Sequence, residues 1–284
     1  MCPFGGYFVA NNPLRYVDPS GHTPNCVDYD ESGTVCLLWE DTWEPSPSLV
    51  NFEGDGWTAV QKNEFNTAAW SAAYGYYRVV QTEKAATPAY SHFHIAGQSQ
   101  LHSSEELSPR ELFDKINGGP VTFVIKPQCG NERATGCSYG VDQGAWAWSR
   151  IGELGEVWVN EEALKPGSSY TGLAIRQNVV HELMHGLDQR GGGAAHKHLA
   201  AASATNPLLT RTQGGFAGPF VGWQQSRPAD ANSPEELFAD MGLGWTYSQW
   251  QANPQAVDYK AGVAKAQYME ANMSWMIALA VANN

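Results

Sequence analysis

A chain of 284 residues in which 43% are hydrophobic and 11 are Trp has enough apolar material for a packed core, which excludes a disordered protein. The net charge of −12 and the pI near 5.0 argue against a nucleic-acid partner, because a phosphate-binding surface needs clustered Lys and Arg and the chain has only 17 of them. Its apolar runs are shorter than the roughly 20 residues that span a bilayer, so no membrane span is predicted.

The first 21 residues are rich in turn formers, since Asn-Pro and Asp-Pro-Ser-Gly interrupt two short apolar runs. Residues 12–21 read Asn-Pro-Leu-Arg-Tyr-Val-Asp-Pro-Ser-Gly. This stretch closely resembles the end of the core of RHS/YD-repeat proteins, which a variable C-terminal toxin follows. The resemblance implies that residues 1–21 are the end of an RHS-repeat core, that Met1 is an internal start, and that the following residues are toxin cargo.

The same resemblance implies a role for Asp18 and a localisation. Asp18 matches an aspartate that cuts the chain in some RHS proteins, but the second Asp-Pro motif of the full core is missing, and turn chemistry alone accounts for Asp18. The resemblance implies secretion or delivery to a target cell as part of a larger RHS protein. The export signal is expected elsewhere, because the N-terminus has no basic start followed by an apolar core. A cognate immunity protein is a candidate partner.

Residues 22–56 are acidic and contain several prolines. We predict that they form an irregular linker lying against the domain at residues 57–284, because the run Leu37-Leu38-Trp39 requires burial. The three predicted units are therefore 1–21, 22–56 and 57–284.

Four of the five cysteines form two pairs that are close in sequence, Cys26 with Cys36 and Cys129 with Cys137. Both spacings suit a disulfide across a local loop, and four free thiols are the alternative. Neither pair has the C-x-x-C spacing of a zinc site, so zinc ligation by cysteine is not expected.

Apolar residues that recur every three or four positions predict helices in the domain, and β-branched or aromatic runs predict strands. The predicted elements are helices at 57–82 and 108–116, a strand at 121–126, a hairpin joining 146–148 to 157–159, helices at 171–190 and 233–244, and a helix at 254–282. The Gly- and Ser-rich residues 191–232 are predicted to be a long loop that covers the site. The predicted fold class is α+β, mainly helical, with a small mixed β-sheet.

The helix at 171–190, for which Thr171 is the predicted cap, contains the motif His181-Glu182-Leu183-Met184-His185. Residues four apart lie on the same face of a helix, so His181 and His185 can offer two imidazole nitrogens to one Zn²⁺ ion. Glu182 stays beside this pair and can take a proton from a water molecule that the metal activates. A helix with two ordinary histidines is the alternative.

Catalytic zinc needs a third protein ligand, and Glu236 is the preferred candidate. Ser233 and Pro234 are typical of a helix start, which places Glu236 in the first turn. Asp240 lies one turn later and can hydrogen-bond the far nitrogen of a ligand histidine. Glu235 is the rival ligand, but it has no carboxylate one turn later. Asp188, one turn after His185, is predicted to orient a ligand in the same way as Asp240.

These two helices resemble those of the gluzincin metallopeptidases, and most closely the group that contains the anthrax lethal factor catalytic domain. The resemblance rests on the H-E-x-x-H motif, on Asp188 three residues after it, and on Glu236-Leu-Phe-Ala-Asp240. It implies a zincin-like fold, a zinc cofactor, and hydrolysis of a peptide bond in a protein or peptide substrate. The metzincin pattern is excluded, because Gly191 stands where its third histidine would be.

The resemblance also implies where the substrate binds. In zinc peptidases of this shape, the strand before the H-E-x-x-H helix borders the cleft, which makes residues 155–160 the predicted substrate-binding edge, with Val157, Trp158 and Val159 as its contacts. An interior strand is the alternative. The lethal factor group stabilises the oxyanion with a tyrosine just before the third ligand, and here no tyrosine lies between Tyr170 and Tyr247. His196, His198 and Tyr247 are the remaining candidates.

The function predicted from the sequence is a zinc-dependent metallopeptidase that is the toxin or effector domain of an RHS-repeat protein. One alternative is a zinc hydrolase of another amide bond, such as that of a cell-wall muropeptide. Another is a non-catalytic surface or adhesion module of an RHS protein, which predicts no bound zinc. A purely structural zinc would need a closed site with four protein ligands.

Overall fold

The computed structural model describes residues 25–29, 33–37, 48–86, 107–129, 141, 145–168, 170, 172–217 and 233–283. Within these residues the chain has seven α-helices, a four-stranded sheet and a separate two-stranded sheet, which confirms the α+β class. The helices are α1 (Ala59–Ala86), α2 (Pro109–Asn117), α3 (Ile151–Leu154), α4 (Leu173–Arg190), α5 (Ala194–Thr205), α6 (Pro234–Thr246) and α7 (Tyr259–Ala282). The strands are β1 (Asn25–Tyr29), β2 (Gly33–Leu37), β3 (Asn51–Glu53), β4 (Thr122–Lys126), β5 (Ala147–Arg150) and β6 (Glu156–Asn160).

The four-stranded sheet has the order β3-β4-β6-β5. Strands β3, β4 and β6 are parallel, and β5 is antiparallel to β6, so the sheet is mixed as predicted. Strands β5 and β6 form the predicted hairpin, in which the single turn of α3 joins them. Gly155 ends α3 in the left-handed conformation (φ 70°), which costs a glycine little.

The prediction that residues 155–160 form a sheet edge is wrong. Strand β6 pairs with β4 on one side and with β5 on the other, so Val157, Trp158 and Val159 belong to an interior strand. All three side chains are buried. A run of β-branched and aromatic residues indicates a strand but does not reveal its position in the sheet, because pairing partners are set by distant parts of the chain.

The hydrophobic core lies between one face of the sheet and the helices. Phe65 of α1 meets Phe123 of β4 edge to face, with ring centroids 4.9 Å apart. Helix α1 presents buried alanines to the core, and α4 packs against α1, α6, α7 and β5, which places α4 at the centre of the domain. In the part of the chain that the structure describes, no helix is both long and apolar enough to cross a membrane.

Two predicted helix starts are confirmed in detail. The side chain of Ser108 accepts a hydrogen bond from the backbone of Glu111, whose own side chain accepts from the backbone of Ser108. This reciprocal capping box begins α2. The side chain of Ser233 accepts from the backbone of Glu236 and begins α6.

Two segments that were predicted to be irregular contain regular structure. In residues 22–56, β1 and β2 pair so that Cys26 lies opposite Cys36, and β3 joins the main sheet. A three-residue strand that pairs in parallel with a distant partner leaves no local sequence pattern, so β3 was not predictable.

The second of these segments is residues 191–232, in which α5 follows α4 almost directly. Its alanine content favours a helix and is the signal that the loop prediction overlooked.

Several predictions fall outside the described residues, namely the RHS-like segment 1–21, the cap Thr171 and Cys137. Cys129 is disulfide-bonded, which favours the disulfide alternative for this residue, and its pairing with Cys137 stays a prediction. Helix α4 begins after Gly172, which provides no side-chain cap.

Helices α4 and α6 approach closely because Gly242 of α6 has no side chain at their contact. A Cβ atom at Gly242 would lie 2.2 Å from Cγ of Met184 in α4, well inside van der Waals contact. Met184 belongs to the H-E-x-x-H motif, so this glycine determines how near α6 comes to the predicted ligands.

We expect Gly242→Val to lower the free energy of unfolding by about 1–3 kcal/mol, because the added methyl groups overpack the contact with Met184. Ala271→Val on the exposed face of α7 is the control and should cost about 0.5 kcal/mol or less. Urea unfolding of the two variants measures the difference. Equal stabilities would contradict the close contact.

Candidate metal centre

Two helices supply the predicted zinc ligands. His181 and His185 lie one turn apart on α4, and Glu236 lies in the first turn of α6. The cap from Ser233 fixes where α6 begins and therefore which residue of its first turn faces α4.

The three side chains converge on one point. The Nε2 atoms of His181 and His185 lie 3.0 Å apart. The carboxylate oxygens of Glu236 lie 3.3 Å from Nε2 of His181 and 3.6 Å from Nε2 of His185. The carboxylate of Glu235 lies instead 3.6 Å from Nε2 of His196, so the structure places Glu236 rather than its neighbour at this point.

A metal ion fits this set of donor atoms. Tetrahedral zinc with ligand distances near 2.0–2.1 Å separates its ligand atoms by about 3.3 Å, close to the separations observed here. The lone pairs of two neutral imidazole nitrogens that face each other repel. A proton or a cation between the two nitrogens removes this repulsion. Two histidines and one glutamate are also the ligands of catalytic zinc sites that keep a fourth position open.

The site is buried on the α4 side and open on the α6 side. The side chain of His181 is 7% exposed, whereas that of Glu236 is 35% exposed. The converging side chains are therefore more accessible from the α6 side than from the α4 side.

Asp240 lies where it was predicted to orient a ligand. Its Oδ1 atom is 3.1 Å from Nδ1 of His181, while Nε2 of the same ring faces Glu236. Asp240 is fully buried. A carboxylate at Nδ1 keeps the proton on that nitrogen and leaves Nε2 to bind the metal.

The surrounding charges give the two histidines different protonation states. Burial lowers the pKa of His181, but the carboxylates of Asp240 and Glu236 outweigh burial and raise this pKa to about 10. Burial, followed by the charge of His181, lowers the pKa of His185 to about 4. At neutral pH the metal-free site therefore holds one protonated and one neutral imidazole, and zinc must displace the proton of His181.

Glu182 is buried next to the ligands, with 6% of its surface exposed. The Nδ2 atom of Asn178 donates to Oε1 of Glu182 at 3.3 Å, and the backbone amide of Ser149 in β5 donates to the same carboxylate. Burial raises the pKa of Glu182 to about 7, against the opposing charge of His181. A carboxylate with a pKa near neutrality is suited to accept and release a proton at physiological pH.

Asp188 does not have the contacts that were predicted for it. Its two carboxylate oxygens hydrogen-bond His196, one to the backbone N–H at 3.1 Å and the other to ring Nδ1 at 2.5 Å. Asp188 thereby holds the first turn of α5 against the end of α4 and orients His196 instead of His185. The sequence spacing suggested His185 because the helix that begins at Ala194 was not predicted.

The three oxyanion candidates differ in position. Tyr247 follows α6, about 16 Å along the helix axis from Glu236, and its hydroxyl lies beside Ser71 of α1. His198 hydrogen-bonds the hydroxyl of Tyr268 on α7. His196 faces the first turn of α6 through its contact with Glu235, and of the three it is the one beside a ligand-bearing turn.

Sequence reasoning missed the surroundings of Glu182. Asn178 lies four residues before Glu182, so helical spacing alone could have paired the two side chains. The backbone amide of Ser149 carries no sequence signal, because any residue at that position of β5 would supply it. The predicted contacts Val157, Trp158 and Val159 lie on β6, one strand further from α4 than β5.

We expect zinc binding near pH 7 to release about one proton per metal ion, because the pKa of His181 in the metal-free protein is about 10. Below that pKa the proton competes with zinc, so the affinity should fall about tenfold for each pH unit as the pH decreases. Calorimetry in buffers with different ionisation enthalpies measures the protons released.

Asp240→Asn should reduce this proton release, because it removes a carboxylate that raises the pKa of His181. Asp258→Asn is the control, since Asp258 accepts a hydrogen bond from the backbone of Gly215 instead. Equal proton release in both variants would contradict the role of Asp240.

Together, the site brings two imidazole nitrogens and one carboxylate to one point and holds a second, buried carboxylate beside them. This arrangement suits a divalent cation with an adjacent proton acceptor. No protein family, curated protein or solved structure matches the chain.

Proposed function

We propose that the chain is a zinc-dependent metallopeptidase that acts as the toxin or effector domain of an RHS-repeat protein. The observation that carries this proposal is the convergence of His181, His185 and Glu236, with Glu182 buried beside them. A zincin-like fold is part of the proposal. It is supported by the mixed sheet, by the H-E-x-x-H helix that packs against β5, and by the ligand helix that follows.

Zinc at this site would supply a Lewis acid that polarises the substrate carbonyl and acidifies water. Glu182 accepts the proton of the attacking water on its carboxylate and then delivers this proton to the nitrogen of the leaving amine. Its pKa of about 7 in the metal-free protein suits both transfers. Asp240 keeps His181 in the tautomer that presents Nε2.

The proposed substrate-binding strand is β5, which replaces β6 in this role. Strand β5 lies at the edge of the sheet, packs against α4, and donates the backbone hydrogen bond of Ser149 to Glu182. Both backbone groups of Ser149 are already engaged, the N–H by Glu182 and the C=O by Gln189 of α4, so an extended peptide would pair with the part of β5 that precedes Ser149 and end next to the proton acceptor.

The RHS-like residues 12–21 support delivery to a target cell as part of a larger protein. A protein or peptide of that cell is then the substrate, and an immunity protein in the producing cell is the partner. The acidic net charge of −12 is consistent with a substrate other than nucleic acid.

The proposal is tested first by the zinc content of the purified protein. We expect one zinc per chain in the wild type and in Glu235→Ala, and its loss in Glu236→Ala, because Glu236 reaches both histidines whereas Glu235 contacts His196. Absence of zinc from a folded wild-type chain would indicate the non-catalytic RHS module instead.

The reaction is tested with a mixture of fluorophore-quenched random peptides. Glu182→Gln should keep its zinc and lose about 10²–10⁴-fold in turnover, because the amide cannot accept the proton. Full turnover in this variant would refute the role of Glu182. Cleavage of muropeptides but not of peptides would assign the site to another amide bond.

A further inference from the structure

A buried chain of hydrogen bonds leads from Tyr170 to the carboxylate of Glu182. The Tyr170 hydroxyl donates to Oδ1 of Asn178 at 2.8 Å, and Nδ2 of Asn178 donates to Oε1 of Glu182 at 3.3 Å. Tyr170 is 1% exposed and Asn178 is 4% exposed. Bulk water therefore has little access to these groups, and the two hydrogen bonds, which share Asn178, strengthen each other.

The direction of the Asn178 amide is determined from both ends. An ionised carboxylate can only accept hydrogen bonds, so Glu182 requires the N–H₂ side of the amide. The Tyr170 hydroxyl meets the carbonyl side, and burial raises the pKa of Tyr170 well above its usual value, so the hydroxyl remains a donor. A hydroxyl donor at Oδ1 and a carboxylate acceptor at Nδ2 leave the amide one favourable orientation.

Tyr170 is itself held by the core. Its ring lies 4.9 Å from the ring of Trp146 and 6.1 Å from that of Phe65, measured between centroids. Trp146 lies next to β5, whose Ser149 amide donates to Glu182 from another direction. The carboxylate is thus approached by donors from its own helix and from the sheet.

We propose that Asn178 is a positioning residue for Glu182 and that Tyr170 fixes the direction of the Asn178 amide. This inference rests on the proposed function, in which Glu182 moves the proton. Oε1 is held by Asn178, so the carboxylate keeps one rotamer beside the proposed metal ligands. A proton acceptor held in this way loses no rotational freedom when the substrate binds.

The test compares Asn178→Ala with Asn178→Leu in the full zinc-loaded chain. Leu keeps the branched shape of Asn and adds no charge beside Glu182, but it has no donor for that carboxylate. If Asn178 acts through its donor, both variants should lose about 10–100-fold in kcat on the quenched random peptides, with KM and zinc content unchanged. If Asn178 only fills space, Asn178→Leu should retain wild-type turnover, which would overturn the proposal.

Asn160→Ala is the matched control. Asn160 is also 4% exposed, but it hydrogen-bonds the backbones of Ala145 and Glu162, so its loss should lower stability without lowering kcat. Tyr170→Phe should give a smaller loss of kcat than Asn178→Ala, because the Asn178 amide is still present but is no longer held in one orientation.

A second measurement requires no substrate. Crystal structures of the zinc-loaded wild type and of Asn178→Ala should show Glu182 in one rotamer in the wild type and turned away or in several rotamers in the variant. An unchanged carboxylate would overturn the positioning role even if the protein is a zinc peptidase. A wild type that holds no zinc would refute the proposed function, and the orientation of Glu182 in the metal-free crystals would still decide whether Asn178 positions it.

Discussion

The candidate site depends on the distance between α4 and α6. Each helix alone supplies an incomplete set of ligands, and the two sets meet only because Gly242 lets α6 lie directly against Met184, between the two histidines of α4. Metal sites tolerate errors of only about 0.2 Å in ligand distance. A packing contact between apolar groups therefore controls the geometry of a polar site. The surrounding core, which includes the alanines of α1 and one face of the sheet, holds α4 in place.

Burying charged side chains where α4 meets α6 costs free energy, and neighbouring groups have to offset this cost. Asp240, His181 and Glu182 are all buried, and an unpaired charge at such depth would destabilise the fold by several kcal/mol. Asp240 is compensated by the ring of His181, and Glu182 by donors from Asn178 and Ser149. The carboxylate of Glu182 nonetheless keeps a raised pKa. The proposed function would account for the retention of such groups where an apolar core would be more stable.

The convergence of the candidate ligands was predictable from the sequence because both parts of the site obey helical spacing. The spacing of His181 and His185 defines one face, and the pairing of Glu236 with Asp240 four residues later favoured Glu236, which the structure places beside the two histidines, over its neighbour Glu235. Most helices were also predictable from their periodicity. Three features that depend on non-local pairing were not predictable from the sequence. They are the interior position of β6, the three-residue strand β3, and the backbone donor from β5. The error at Asp188 followed from overlooking α5.

The order of the ligands along the chain has a consequence for when the site can form. The two histidines lie one turn apart on α4, but Glu236 belongs to a helix that lies beyond α5, so a chain in which α6 has not yet docked would offer a metal ion only two of the three proposed ligands and would bind it weakly. Completion of the site thus coincides with completion of the tertiary fold. Under the proposed delivery, a domain that crosses a membrane unfolded would remain inert in transit, and metal capture in the recipient compartment would draw the refolding equilibrium towards the native state.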